Sequence, residues 1–380
     1  MSDPRPTSVL LAGGGTAGHV SPLLALADCL RRRDPEIAIA ALGTQAGLES
    51  RLVPERGYEL ITVPKVPLPR KPSSDLLRLP GSLRAAVAAA ERAIDATGAQ
   101  VVVGFGGYVS TPAYLAARRR HVPVVVHEQN ARPGVANRVG ARLTHHVATT
   151  FTSTRLPHAT TIGMPLRREI AQLDRAASRA SALEHFGLRD HRPTLLVTGG
   201  SLGAQRLNAT FASRVAALRA AGVQVLHLTG AGKAFDVEVA GSGEDPVPYV
   251  VAPYTDRMDL AYAVADLVVA RAGANTVCEL TAVGLPAVYV PLPIGNGEQR
   301  FNAADVVAAG GGLLVEDGAL TPEWVDEVLV PLLSDSARLE AMAAAAARVG
   351  ERGADEILAD MVTTAFRDFT DPGHLRTTGR

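Results

Sequence analysis

Two glycine-rich turns, each set between an apolar strand and a helix, constrain this chain more than any other feature. The first, Gly13-Gly14-Gly15-Thr16-Ala17-Gly18-His19, follows the apolar run Val9-Leu10-Leu11-Ala12 and precedes a helical pattern over residues 20–33. The second, Gly199-Gly200-Ser201-Leu202-Gly203, follows Leu195-Leu196-Val197 and precedes a helical stretch over 204–221. Strand, glycines and helix in that order offer bare backbone N–H groups and the positive end of a helix to an anion. The repetition predicts two α/β domains facing one phosphorylated ligand across a central cleft.

The rest of the chain alternates in the same way. Strand-like runs over 9–12, 37–42, 101–103, 122–126 and 146–149 are separated by helical patterns over 22–33, 83–97 and 111–120. A second series runs over 194–198, 223–228, 249–252, 267–270 and 287–290, with helices over 204–221, 276–283 and 302–309. This reads as two Rossmann-like, doubly wound parallel sheets. The predicted domains are 1–165, 166–345, and a C-terminal helical segment over 346–380 with a polar, frayed end. Thr321-Pro322-Glu323 predicts a helix start, with Thr321 as N-cap and proline in the first turn. Helices are also expected over 336–349 and 355–366.

Bulk properties narrow the function classes. With 380 residues, 47% apolar and only 4% aromatic, the chain has ample material for two cores of small aliphatic side chains. A formal net charge of zero gives no general reason to expect a nucleic-acid partner. The two cysteines, Cys29 and Cys278, fall in helical segments outside any metal-ligand spacing, which suits a reducing compartment. Met1 to Thr7 is short and polar and predicts no signal peptide. No apolar run reaches the roughly 18–20 residues of a membrane-spanning helix.

Gly13-x-Gly-x-x-Gly18 matches the dinucleotide fingerprint, but the next strand ends Ala40-Ala41-Leu42-Gly43-Thr44, without the acid that would hold an NAD ribose. His19 falls in the first helical turn, where the positive helix end disfavours an imidazolium. It is a candidate proton acceptor, or a hydrogen-bond donor to substrate or backbone. His127-Glu128-Gln129-Asn130 and Gly104-Phe105-Gly106-Gly107-Tyr108 end strands at the edge where open α/β sheets bind ligands. Arg271-Ala-Gly-Ala-Asn-Thr-Val-Cys-Glu279 follows another strand. Its helix should begin near Asn275, and Glu279, one turn on, is placed to accept from ribose hydroxyls. The loop from Pro291 through Gln299 to Asn302 offers amides and a carboxylate to a sugar. Gly230-Ala-Gly-Lys233 lacks P-loop spacing, and no Asp-x-Asp pair is present to bridge a metal to a diphosphate. The stretch from Lys65 to Arg84 mixes Lys65, Arg70, Lys71, Arg78 and Arg84 with leucine, valine and proline; a contact with an anionic membrane surface and a solvated loop are both open.

Together these motifs resemble the bacterial N-acetylglucosaminyltransferases that convert lipid I to lipid II in peptidoglycan synthesis. The markers are Gly13–His19, Gly107-Tyr-Val-Ser110, His127–Asn130, Gly199–Ala204 and Arg271–Glu279, and the resemblance extends to about Gly312. It implies a GT-B glycosyltransferase using UDP-N-acetylglucosamine and undecaprenyl-diphospho-muramoylpentapeptide, with no cofactor and no metal. Carried over residue by residue, Ser201 contacts the diphosphate region and Thr255 lies in the loop over uracil. Ala274, Asn275, Thr276, Val277 and Cys278 form the turn at the phosphates, Glu279 holds the ribose and Gln299 the sugar. Thr16, Ala17, Gly18, Asn130 and Arg167 complete the site, and His19 followed by Glu128 are the candidate bases. The sequence departs from the family at Met164, where many members have asparagine, and at Gly295–Glu298, which replaces a more basic version. The resemblance also implies a peripheral position on the cytoplasmic face of the membrane, through the 65–84 stretch, and partners in the cell-wall machinery. It leaves as alternatives a UDP-N-acetylglucosamine 2-epimerase, a synthase glycosylating diacylglycerol, and a catalytically silent nucleotide-sugar-binding module.

Overall fold

The computed structural model describes residues 4–66, 75–200, 205–237, 247–293 and 297–371, with the side chains of 75–79 outside the description. Two compact units emerge, Met1–Arg167 with Arg352–Arg380, and Arg168–Glu351.

The first unit is built on seven strands: β1 (Ser8–Gly13), β2 (Ala38–Gly43), β3 (Glu59–Thr62), β4 (Val101–Gly106), β5 (Val124–Glu128), β6 (His146–Thr149) and β7 (Ala159–Thr161). They lie in the order β3-β2-β1-β4-β5-β6-β7, and every pairing is parallel. Leu10 pairs with Ala40 on one side and Val102 on the other. The period-two alternation of a strand sends Val9, Leu11 and Val103 into one core layer and Leu10, Ala12 and Val102 into the other. Because both faces are covered, the central strands are apolar throughout.

One layer is closed by the helices Ala17–Arg33 and Ala354–Thr370. Arg32 meets Asp355 at 2.9 Å, and Arg33 meets Asp360 at 2.6 Å, so basic residues near one helix's C-terminus face acids near the other's N-terminus. Cys29 is buried between these helices, and burial pushes its thiol up to about 12. Cys29, Asp355 and Glu356 lie close together, but both carboxylates are paired with the arginines.

The other layer is closed by the helices Asp75–Thr97 and Ser110–Arg119. Here the fully buried Tyr114 donates to Asn137 Oδ1 at 2.7 Å. Its ring fills the space that side chains at Gly104 and Gly140 would need: a Cβ at Gly104 would lie 2.1 Å from the tyrosine oxygen, and one at Gly140 would lie 2.6 Å from the ring.

The second unit repeats the plan with β8 (Thr194–Thr198), β9 (Gln224–Leu228), β10 (Tyr249–Ala252), β11 (Leu267–Ala270), β12 (Ala287–Tyr289) and β13 (Gly312–Leu314), ordered β10-β9-β8-β11-β12-β13 and parallel throughout. Thr321 caps its helix as expected, accepting from Trp324 N. The helix expected over 204–221 is instead two, Gln205–Ala212 and Val215–Ala220, separated at Ser213 and Arg214. The one expected over 302–309 likewise divides at Ala303 into Glu298–Asn302 and Ala304–Ala308.

Gly104→Ala should destabilise the protein by about 1–3 kcal/mol through overpacking against Tyr114. The check is urea unfolding of the wild type, G104A, and a G104A/Y114F pair, which should recover part of the loss by removing the colliding oxygen.

Candidate active site

In each sheet the strand order reverses at one place, and there the loops leave the carboxyl ends in opposite directions and open a crevice. In the first unit that place is between β1 and β4. The β1 loop turns through Gly15, at φ +90°, into the helix Ala17–Arg33. Thr16 occupies the N-cap position without a side-chain capping bond, and the first turn carries no acid. The positive helix end is therefore left uncompensated by the side chains of its cap and first turn, beside Ala17, Gly18 and His19.

The expectation of bare loop N–H groups needs one correction. Gly15 N donates to Glu49 Oε2 at 2.8 Å, while Thr44 N and Thr44 Oγ1 donate to Oε1 at 2.9 and 2.8 Å. The carboxylate is enclosed by glycines: a Cβ on Gly14 would lie 2.4 Å from Oε1, and one on Gly47 2.0 Å from Oε2. Burial opposes the charge, but the hydrogen bonds outweigh it and hold the Glu49 carboxyl below its usual range. Glu49 was not among the expected site residues, because nothing in its local sequence distinguishes it from a helix-starting glutamate.

Opposite this loop, β4 ends at Gly106 and is followed by Gly107, at φ +94° and +81°. A Cβ on Gly107 would come within 2.5 Å of the Gly14 carbonyl oxygen, and one on Gly106 within 3.1 Å of the His19 ring. The buried Ser110 hydroxyl joins the strands, bonding Ala12 O at 2.9 Å and Gly106 O at 2.7 Å.

The carboxyl end of β5 contributes His127 to Asn130. Gln129 Oε1 lies 2.9 Å from His19 Nδ1. Glu128 is buried; Oε1 accepts from Asn130 N, and Oε2 accepts from Gly134 N and Asn137 Nδ2, all at 2.9 Å. The carboxylate thereby braces the turn that carries Asn130. Met164 is buried, an environment that suits its apolar side chain, and Arg167 ends the unit. Of the basic stretch near 65–84, residues 67–74 lie outside the described structure, as do the side chains of 75–79; Lys65 Nζ sits 4.8 Å from the centre of the Tyr108 ring.

In the second unit the reversal lies between β8 and β11. Gly200 turns at φ +64°, while Ser201 to Ala204 lie outside the described residues. The helix Ala274–Ala282 begins one residue before the expected start, with Gly273 at its N-cap, no side-chain cap and no acid in its first turn. Ala274 to Cys278 thus belong to the helix rather than to the turn before it. Glu279 Oε2 accepts from Tyr262 OH at 2.7 Å. Buried Arg271 ties the neighbouring strand ends together, donating to Asp317 Oδ1 at 2.6 Å and Val290 O at 3.3 Å. Gln299 Oε1 accepts from Leu292 N at 2.9 Å, and Thr255 Oγ1 from Arg257 N at 3.1 Å. Residues 294–296 of that loop are outside the description. A cavity of about 600 Å³ lined by Arg175, Arg179, Asp266 and Leu339 lies at the amino ends of β8 and β11, away from these residues.

Glu49→Gln should lower stability at pH 7 by about 1.5–3 kcal/mol, the range for hydrogen bonds to a charged group. A depressed carboxyl stabilises the fold above its unfolded value of about 4.3 and loses that contribution as pH falls through the folded value. Urea unfolding should therefore show a full wild-type advantage above about pH 5 that shrinks below about 4.3.

Residues 9–149 match the glycosyltransferase family 28 N-terminal domain, and residues 194–358 match the family's C-terminal domain. A relative in Leifsonia xyli subsp. xyli is 58% identical over 93% of this chain and 97% of its own length. One in Streptomyces coelicolor is 56% identical over 94% and 98%. Both are named UDP-N-acetylglucosamine–N-acetylmuramyl-(pentapeptide) pyrophosphoryl-undecaprenol N-acetylglucosamine transferase. The crystal structure of Acinetobacter baumannii MurG, 28% identical, aligns with a TM-score of 0.75 over 94% of this chain and all of that one. Two matched domains and near-complete alignment to these relatives mean that this chain belongs to glycosyltransferase family 28.

Proposed function

We propose that this chain transfers N-acetylglucosamine from UDP-N-acetylglucosamine to the 4-hydroxyl of the muramoyl sugar of undecaprenyl-diphospho-muramoylpentapeptide, with inversion. The observation that carries this reading is the near-full-length identity to relatives named for that transfer. Support from the residues themselves comes from the His19 loop and from the helix start at Ala274, which has neither a side-chain cap nor a first-turn acid.

The acceptor oxygen attacks the anomeric carbon as its proton passes to His19 Nε2. The new carbon–oxygen bond replaces the bond to the donor's diphosphate, and that electron pair leaves with UDP. His19 is the better of the two candidate bases, since the Glu128 carboxylate already accepts from Asn130, Gly134 and Asn137. The N–H groups from Ala274 through Cys278, with Ser201, stabilise the charge that develops on the leaving diphosphate. Glu279 holds the ribose, Thr255 lies by the uracil, and Gln299 orients the sugar. Thr16, Ala17, Gly18, Asn130 and Arg167 contribute from the first unit. The Asp-x-Asp pair that would hold a bridging metal is absent from the sequence, and the mechanism uses none.

The acceptor's lipid places the enzyme on the cytoplasmic face of the membrane. Among the described residues no helix is long and apolar enough to cross it, and the basic stretch 65–84 supplies peripheral attachment. Proteins of the cell-wall machinery are natural neighbours there.

UDP release in EDTA should depend on a lipid I analogue. Donor binding without acceptor-dependent release would overturn the transferase reading in favour of an epimerase or a silent binder. At saturating substrates His19→Ala should lower kcat by about 10²–10⁴-fold, and wild-type turnover would remove His19 as base. Glu279→Ala should raise the donor KM by about 10–100-fold, with a smaller change in kcat, read from initial rates.

A further inference from the structure

We infer that Gln129 is a positioning residue that fixes the tautomer of His19, holding its proton on Nδ1 and leaving the Nε2 lone pair toward the acceptor. The inference rests on the reading of His19 as base, and it follows from a hydrogen-bond chain with one consistent assignment. The chain starts at the Gly163 carbonyl, which can only accept. His127 Nε2 lies 3.0 Å from it and therefore carries a hydrogen. His127 is fully buried, and burial pulls its imidazole down to about 4, so the ring is neutral and Nδ1 is a bare acceptor.

Gln129 stands 3.0 Å from that nitrogen and 2.9 Å from the His127 carbonyl. Two acceptors on one side demand the amide NH₂ there; the reverse orientation would place the amide oxygen against both. Oε1 consequently faces His19, and an oxygen 2.9 Å from Nδ1 requires Nδ1–H. Among the described residues Nε2 of His19 has no hydrogen-bond partner. Gln129 is 1% exposed, and Asn137 Nδ2 holds the same His127 carbonyl at 3.1 Å, so the amide has little freedom to turn.

A neutral amide has a consequence that a carboxylate partner would not share. It orders the ring without a full negative charge, so the imidazolium formed when Nε2 takes the hydroxyl proton faces a dipole rather than a carboxylate at Nδ1.

The test is the tautomer itself, read by long-range proton–nitrogen NMR on the full chain with ¹⁵N-labelled histidine, using His19→Ala to assign the signals. In the wild type above pH 7, His19 should be predominantly Nδ1–H; a predominant Nε2–H form would overturn the inference. Gln129→Met, similar in size and lacking the amide, should shift the population toward Nε2–H. It should also lower kcat at least about tenfold, because a misprotonated base is a large defect in histidine-dependent catalysis. Donor KM should stay within about twofold. An unchanged tautomer in a folded Gln129→Met protein would also overturn the inference. Because this readout does not depend on turnover, an active His19→Ala enzyme would remove the base reading while leaving the tautomer assignment standing.

Discussion

The first unit depends on a place where backbone meets backbone. At the carboxyl ends of β1 and β4 the Gly14 carbonyl comes so near Gly107 that no side chain could be inserted. Parallel strands at a topological reversal diverge in their connections and leave a crevice between them. Here glycines let the two turns approach one another, and the His19 ring lies beside Gly106. The ring's neighbours follow from this approach: Gln129 reaches it from β5, the next strand along.

Three polar side chains hold that arrangement from behind. Ser110 pins the ends of β1 and β4, Glu49 draws in the glycine loop, and Glu128 braces the turn after β5. None needs substrate in order to act, and each buries hydrogen-bonding capacity that would be costly if left unpaired. Glu49 has a mixed effect on an anion site. It takes the Gly15 N–H and brings a negative charge beneath the loop, so anion affinity in this unit must come chiefly from the helix end. The helices that open the crevice in both units carry no acid in their first turns.

The interior of both sheets was legible in the sequence. Runs such as Val9–Ala12 and Leu267–Ala270 are apolar at every position because both faces are covered. The edges were less so: β3, β7 and β13 were not foreseen, and each borders a sheet where partial exposure removes the apolar signature. Helix breaks at Ser213–Arg214 and Ala303 were also missed, since alanine-rich sequence continues the helical pattern across them. The glycine loops, the His127–Asn130 turn and the Arg271–Glu279 segment were legible as strand-to-helix junctions. Glu49 and the part played by Gln129 were not, for each acts across long sequence separations: 34 residues from Glu49 to Gly15, and 110 from Gln129 to His19. Short motifs record what is adjacent in the chain, whereas these residues matter through what folding brings together.

The helix Ala354–Thr370 packs in the first unit, although the chain leaves that unit after Arg167 and returns only at Arg352. Arg32 and Asp355, which pair across this join, stand 323 residues apart. On the ribosome the second unit, continuous in sequence, has its full complement of residues before the first does. Until that helix emerges, the core layer that Leu358, Ala359 and Val362 join lacks its final cover. Order of synthesis thus runs against order of completion: the domain begun first is finished last, and its waiting surface is one that nascent-chain chaperones are suited to shield.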